Sequence, residues 1–126
     1  MSEVRLVINM HARPGMAAAY AAAWAPHQDE VRGEDGCLQY ELFRSIVHPD
    51  HLALLELWHS RAAFDEHWEV ERRRAPAGTE YLANPRTREI GRDSLEIYWE
   101  KQEHRYDEER GLWTPRSARR EPGSSS

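Results

Sequence analysis

The sequence predicts an α+β protein: one antiparallel four-stranded sheet, threaded β-α-β-β-α-β, with both helices on one side. Three observations predict it. Four stretches alternate apolar residues with a period of two, two stretches repeat them at helical spacing, and Gly or Pro punctuates the joints between them. A chain of 126 residues has room for one such domain with a real core.

Residues 4–11 read as the first strand. Val4, Leu6, Ile8 and Met10 form a purely apolar alternation, while Arg5, Val7, Asn9 and His11 form a mixed one. Pro14-Gly15 ends it. Residues 16–32 are Ala-rich and helical, with Met16, Tyr20, Ala23, Trp24, His27 and Val31 on one face. Pro26 is expected to kink this helix, and Gly33 and Gly36 mark its exit. Residues 37–46 are the second strand and 52–58 the third, joined by His48-Pro49-Asp50-His51. The third strand's Leu content suggests cover on both faces. Ser60 is placed to N-cap a helix that runs to about Arg74. Residues 94–105 complete the set, with Leu95, Ile97 and Trp99 alternating against Glu96, Tyr98 and Glu100. Residues 107–126 are polar and expected to be mobile or to dock on a partner subunit, with Trp113 as the one apolar anchor. The expected division is therefore a domain over residues 1–106 and a tail over 107–126.

This order is the ferredoxin-like plan. Such a sheet leaves its second face bare, yet every strand here has apolar residues on both alternations, so a second copy of the chain is expected to cover it.

Bulk properties exclude several functions. A net charge of −5 argues against nucleic-acid binding, which needs a basic face. Cys37 is the lone cysteine, so there is no intrachain disulfide and no cysteine metal cluster. No apolar run approaches a membrane span of about 20 residues, and the first residues lack the basic-then-apolar pattern of a signal peptide. A cytoplasmic protein is expected. His48 and His51 have His-x-x-His spacing, but on a Pro-containing turn, so no metal is assigned to them.

Three segments together carry a family resemblance: Arg13-Pro14-Gly15; Glu34-Asp35-Gly36-Cys37-Leu38-Gln39-Tyr40-Glu41-Leu42; and Leu54-Leu55-Glu56-Leu57-Trp58-His59-Ser60 with Ala63-Phe64 and His67 behind it. The chain resembles the antibiotic biosynthesis monooxygenase (ABM) superfamily over roughly residues 4–106, close to its quinol monooxygenase-like branch. That resemblance implies a homodimeric α+β barrel with a pocket in each subunit between sheet and helices. It also implies oxygenation of a hydrophobic aromatic or quinol-like substrate by O2 without metal or flavin, in secondary metabolism. The family's known residue sets are incomplete here. The third-strand Trp of anthrone oxygenases falls on Trp58, but their Asn falls on Leu54 and their Tyr on Phe64. The haem-degrading members' ligand falls near Ala77, which argues against haem.

The candidate general base is His67, since imidazole titrates near neutral pH; the alternative is a histidine that only packs at the helix–sheet boundary. Trp58 is the second catalytic candidate, as a pocket wall or as core. Substrate-binding candidates are Asn9 and His11, on the polar alternation of the first strand, together with Tyr40, Glu56, Phe64 and Tyr98. Glu56 either works with His67 or pairs with an Arg of the second helix. Arg72-Arg73-Arg74 read as a solvated helix end. Beside the oxygenase stand two alternatives, an isomerase or cyclase using His67 as proton shuttle, and a non-catalytic dimeric ligand-binding or accessory domain. Only the oxygenase consumes oxygen.

Overall fold

The computed structural model of the chain describes residues 2–75, 77–83, 94–99 and 104–115. Its first four strands are β1 (Val4–His11), β2 (Cys37–Arg44), β3 (His51–Trp58) and β4 (Ser94–Tyr98), with helices α1 (Ala17–Arg32) and α2 (Arg61–Glu71). The sheet order is β2-β3-β1-β4, antiparallel throughout. This is the ferredoxin-like α+β arrangement the alternation predicts.

Register decides which side chains share a face. Val4, Leu6, Ile8 and Met10 pair with Trp58, Glu56, Leu54 and Leu52, and all eight are buried. Tyr40 continues the row on β2 opposite Glu56. The helices cover this alternation because it is the more apolar one on β1, and burial is driven by apolar area removed from water. On the other face Arg5, Val7 and Asn9 pair with Leu57, Leu55 and Ala53, and these are only half-buried. Leucine-rich β3 is thus fully buried on one face and only half-buried on the other.

The helices follow their local signals. Ser60 N-caps α2, its side chain accepting the Ala63 N–H at 3.1 Å. The first helix runs as one element through Pro26, and its Gln28 side-chain oxygen accepts the Leu42 N–H at 3.0 Å, covering part of the β2 edge. Gly36 is required where it stands: φ is +80°, and a Cβ there would lie 2.5 Å from the Ala63 Cβ. Among the described residues no helix is long and apolar enough to cross a membrane.

The end of the domain differs from the expectation. The stretch read as one strand over 94–105 ends as β4 at Tyr98. A separate hairpin follows, β5 (His104–Asp107) with β6 (Leu112–Pro115). Its turn includes Gly111 at φ +67°, a conformation glycine adopts without strain; residues 100–103, between β4 and β5, lie outside the described residues. The expected boundary at 106/107 falls inside β5. Trp113, 67% exposed, lies 5.2 Å from Tyr106 across the hairpin. Residues 116–126 of the expected tail lie outside the described residues.

Candidate functional site

Between the helix-covered face and α2 lies a cavity of about 240 Å³. Leu6, Ile8, Phe64, Trp68 and Ile97 supply its apolar wall, and Tyr40, Glu56, His67 and Glu71 its polar groups. An apolar cavity with a few convergent polar groups is the usual form of a small-molecule site. Phe64 is backed by Trp99 at 5.9 Å, itself under the Arg61 guanidinium at 4.1 Å.

His67 projects from the middle of α2 and is buried. Its ring stacks on Trp58 at 4.4 Å and 28°. Its Nδ1 lies 2.8 Å from Glu34 Oε1, in the loop after α1. A carboxylate can only accept, so Nδ1 carries the hydrogen it donates. In the neutral ring Nε2 is then the basic nitrogen. This is the arrangement a general base requires: a lone pair on a cavity-lining ring, held in one tautomer by an orienting carboxylate.

Glu56 is buried on β3, and the Trp58 indole N–H donates to its Oε1 at 2.9 Å. Trp58 itself is fully buried; it sits behind the cavity, holding Glu56 and backing His67. Glu71 ends α2 with Oε2 2.9 Å from His27 Nε2, and His27 Nε2 lies 3.2 Å from the Tyr40 hydroxyl. Arg74 reaches across to His27 Nδ1 at 2.9 Å and Glu30 at 3.5 Å. Of the three consecutive arginines, Arg72 and Arg73 are solvated and bind Glu69, whereas Arg74 is an inter-helix tie.

Of the residues singled out from sequence, Tyr40, Glu56, Phe64 and His67 meet at this cavity, with Trp58 directly behind. Asn9, His11 and Tyr98 do not. They lie on the opposite sheet face, where Asn9 Oδ1 contacts His51 Nε2 at 3.1 Å, His11 stacks on His51 at 4.7 Å, and Tyr98 pairs with Arg5. The polar alternation of β1 is excluded from the site because the helices bury the apolar one. Glu34, His27, Glu71 and Arg74 were not singled out. Helical periodicity put His27 on the inner face of α1, but no local pattern pairs it with residues 44 and 47 positions away.

Cys37 begins β2, and its thiol is pushed up to about 11, first by burial and then by Glu34 and Glu56. The thiolate is the reactive form, so Cys37 is expected to react slowly with Ellman's reagent at pH 7–8 and rapidly once urea unfolds the chain. Equal rates in both states would contradict this environment. Among the described residues no group of three potential metal ligands occurs.

Comparison with known proteins agrees with this fold. No curated protein matches the sequence significantly. Solved structures do. A conserved protein from Methanosarcina mazei Go1 is 20% identical, with a TM-score of 0.61 over 80% of this chain and 95% of that one. Rv0793 from Mycobacterium tuberculosis is 27% identical, with a TM-score of 0.58 over 77% and 93%. A protein from Deinococcus radiodurans named a "putative antibiotic biosynthesis monooxygenase" is 21% identical, with a TM-score of 0.52 over 75% and 87%. The family model described as antibiotic biosynthesis monooxygenase matches residues 3–75, a span that holds β1 to α2 and every polar group of the cavity. The chain belongs to the antibiotic biosynthesis monooxygenase family.

Proposed function

We propose that the chain is a monooxygenase that oxidises a small quinol-like aromatic with O2 in this cavity, the substrate supplying the electrons. The observation that carries the proposal is that His67, oriented by Glu34, lines a cavity whose wall is mostly apolar. His67 Nε2 takes a phenolic proton. The electron-rich phenolate passes one electron to O2, the resulting pair combines to form a C–O bond, and loss of water follows. In sum the quinol ring gains one oxygen atom and loses two hydrogens, giving a hydroxyquinone, while the second oxygen atom leaves as water. The volume of about 240 Å³ lies below the range of about 300–1,000 Å³ for drug-sized ligands, which favours one- or two-ring substrates. Glu56 and Glu71 offer acceptors for their hydroxyl groups, and the apolar wall excludes water from the anion.

The test is oxygen uptake with a panel of one- and two-ring quinols, with ¹⁸O2 and product mass. Incorporation of one labelled atom is the expected result. Turnover without oxygen uptake would turn the assignment to an isomerase or cyclase, and tight binding without turnover to a ligand-binding domain.

The active form in this proposal is a homodimer. Val7, Ala53, Leu55 and Leu57 form a half-buried apolar strip on the sheet face away from the helices, and an isologous contact there would cover it in both copies. Leu55→Arg is expected to give a monomer by sedimentation at micromolar concentration. An unchanged dimer would place the interface elsewhere.

A further inference from the structure

We propose that His27 is a positioning residue of the cavity: with its Nδ1 occupied by Arg74, it fixes Tyr40 as a hydroxyl donor toward a bound oxygen acceptor. The proposal rests on the cavity being the substrate site, as above, and not on the oxygen chemistry.

Hydrogen-bond capacities decide the arrangement. Arginine has five N–H donors and no acceptor. With Arg74 NH1 2.9 Å from His27 Nδ1, that nitrogen presents its lone pair, and Nε2 carries the hydrogen. Nε2 then donates to Glu71 Oε2 at 2.9 Å and toward the Tyr40 oxygen at 3.2 Å. Tyr40 can therefore only accept from His27, and its own hydrogen is turned elsewhere. Tyr40 and Glu71 line the cavity, and Glu56 stands opposite Tyr40 in register, so the cavity side holds the acceptors. A quinol oxygen, and more so its phenolate, entering there receives the Tyr40 hydrogen.

The ring is also held mechanically. Trp24 of α1 stacks on Tyr40 at 5.8 Å and 16°, and meets His27 edge-on at 4.8 Å. His67 of α2 meets Tyr40 edge-on at 5.7 Å. The charged groups facing His27 are Glu71 at the end of α2 and Arg74 just after it, the latter also within 3.5 Å of Glu30 of α1 and 3.9 Å of Glu71 Oε1. A hydrogen on His27 Nδ1 would point at the Arg74 guanidinium, so that nitrogen keeps its lone pair toward Arg74. Tyr40 thus stands between two oriented histidines, one a base and one a donor that sets its direction.

The test uses the full-length protein and 4-nitrophenol, whose ionised form absorbs visible light. Long-range ¹H–¹⁵N correlation should show His27 neutral with its hydrogen on Nε2, assigned by its loss in His27→Gln. Arg74→Met should leave that hydrogen in place, because Glu71 Oε2 at 2.9 Å accepts it as well. Tyr40→Phe should weaken binding of 4-nitrophenolate about tenfold, and His27→Leu, which releases the Tyr40 hydroxyl to turn, should weaken it in the same direction. His27→Leu combined with Tyr40→Phe should be no weaker than Tyr40→Phe alone, because both changes remove one donor. His27→Gln, which keeps an N–H near Nε2, should bind more tightly than His27→Leu.

A His27 hydrogen on Nδ1 in the unsubstituted protein would overturn the proposal. So would His27→Leu with unchanged affinity, or no saturable binding of the probe. Probe binding that follows the expected order in a protein that consumes no oxygen would uphold this proposal while the monooxygenase assignment fails.

Discussion

Replacing Trp58 with Ala is expected to lower the unfolding free energy by about 3–5 kcal/mol, a large share of the stability of an ordinary domain. The side chain is fully buried, and two structures depend on it. Its ring is the platform on which His67 stacks, and its N–H satisfies Glu56 Oε1 at 2.9 Å. Truncation therefore opens a void and removes a donor from a buried carboxylate at once. Trp58→Phe separates the two effects. It keeps most of the volume, and is expected to cost about 1–3 kcal/mol because Glu56 loses a hydrogen-bond partner. Changing both partners, Trp58→Phe with Glu56→Leu, is expected to recover part of that loss, since a buried charge lacking its donor is costlier than an apolar pair. Urea unfolding at one fixed protein concentration measures all three, with the slope as a check on two-state behaviour. If Trp58→Phe proved as stable as the unsubstituted protein, the indole N–H would have no structural role at Glu56.

Trp58 also shows how much the sequence carries. Its strand, its burial and its neighbours Leu54 and Glu56 are legible from alternation, because a sheet has only two faces and one must be covered. Ser60 as a cap is legible because orphan N–H groups at a helix start need a short polar side chain. The pairing of His67 with Glu34 is not, since 33 positions separate them and only the packing of α2 beside the α1–β2 loop brings them together. Asn9, His11 and Tyr98 mislead for a related reason. A polar alternation on a strand suggests a polar site, but the free energy of burying the apolar alternation decides where the helices go. The cavity then inherits its polar groups from exceptions on the apolar face, Glu56 above all. A charged residue out of phase with its surroundings is the sequence signal that survives this test. By that criterion Glu71, at the end of an amphipathic helix, and Arg74 were open to notice as well.

The second large effect is on turnover. With a quinol substrate identified by oxygen uptake, His67→Gln is expected to lower kcat/KM by about 10²–10⁴-fold, the usual contribution of a positioned base. Gln is preferred to Ala because it fills most of the space against Trp58 and leaves a hydrogen-bonding group for Glu34. The Glu34 variants then test the mechanism more sharply than removal of the base. Glu34→Asp keeps a carboxylate and its acceptor-only character, and is expected to retain much of the activity. Glu34→Gln can turn its amide N–H toward Nδ1, which selects the opposite tautomer, places the hydrogen on Nε2 and removes the lone pair that takes the phenolic proton. Its loss should approach that of His67→Gln, and the two losses should not add, because both abolish one proton transfer. Circular dichroism confirms that each variant folds. If His67→Gln kept kcat/KM within about threefold, the ring would be a packing residue against Trp58, with no kinetic share in deprotonation. The remaining cavity groups able to take the proton would then be the two carboxylates, Glu56 and Glu71. Glu56→Gln would distinguish them, since it keeps an acceptor for the Trp58 N–H while removing the negative charge that makes it a base.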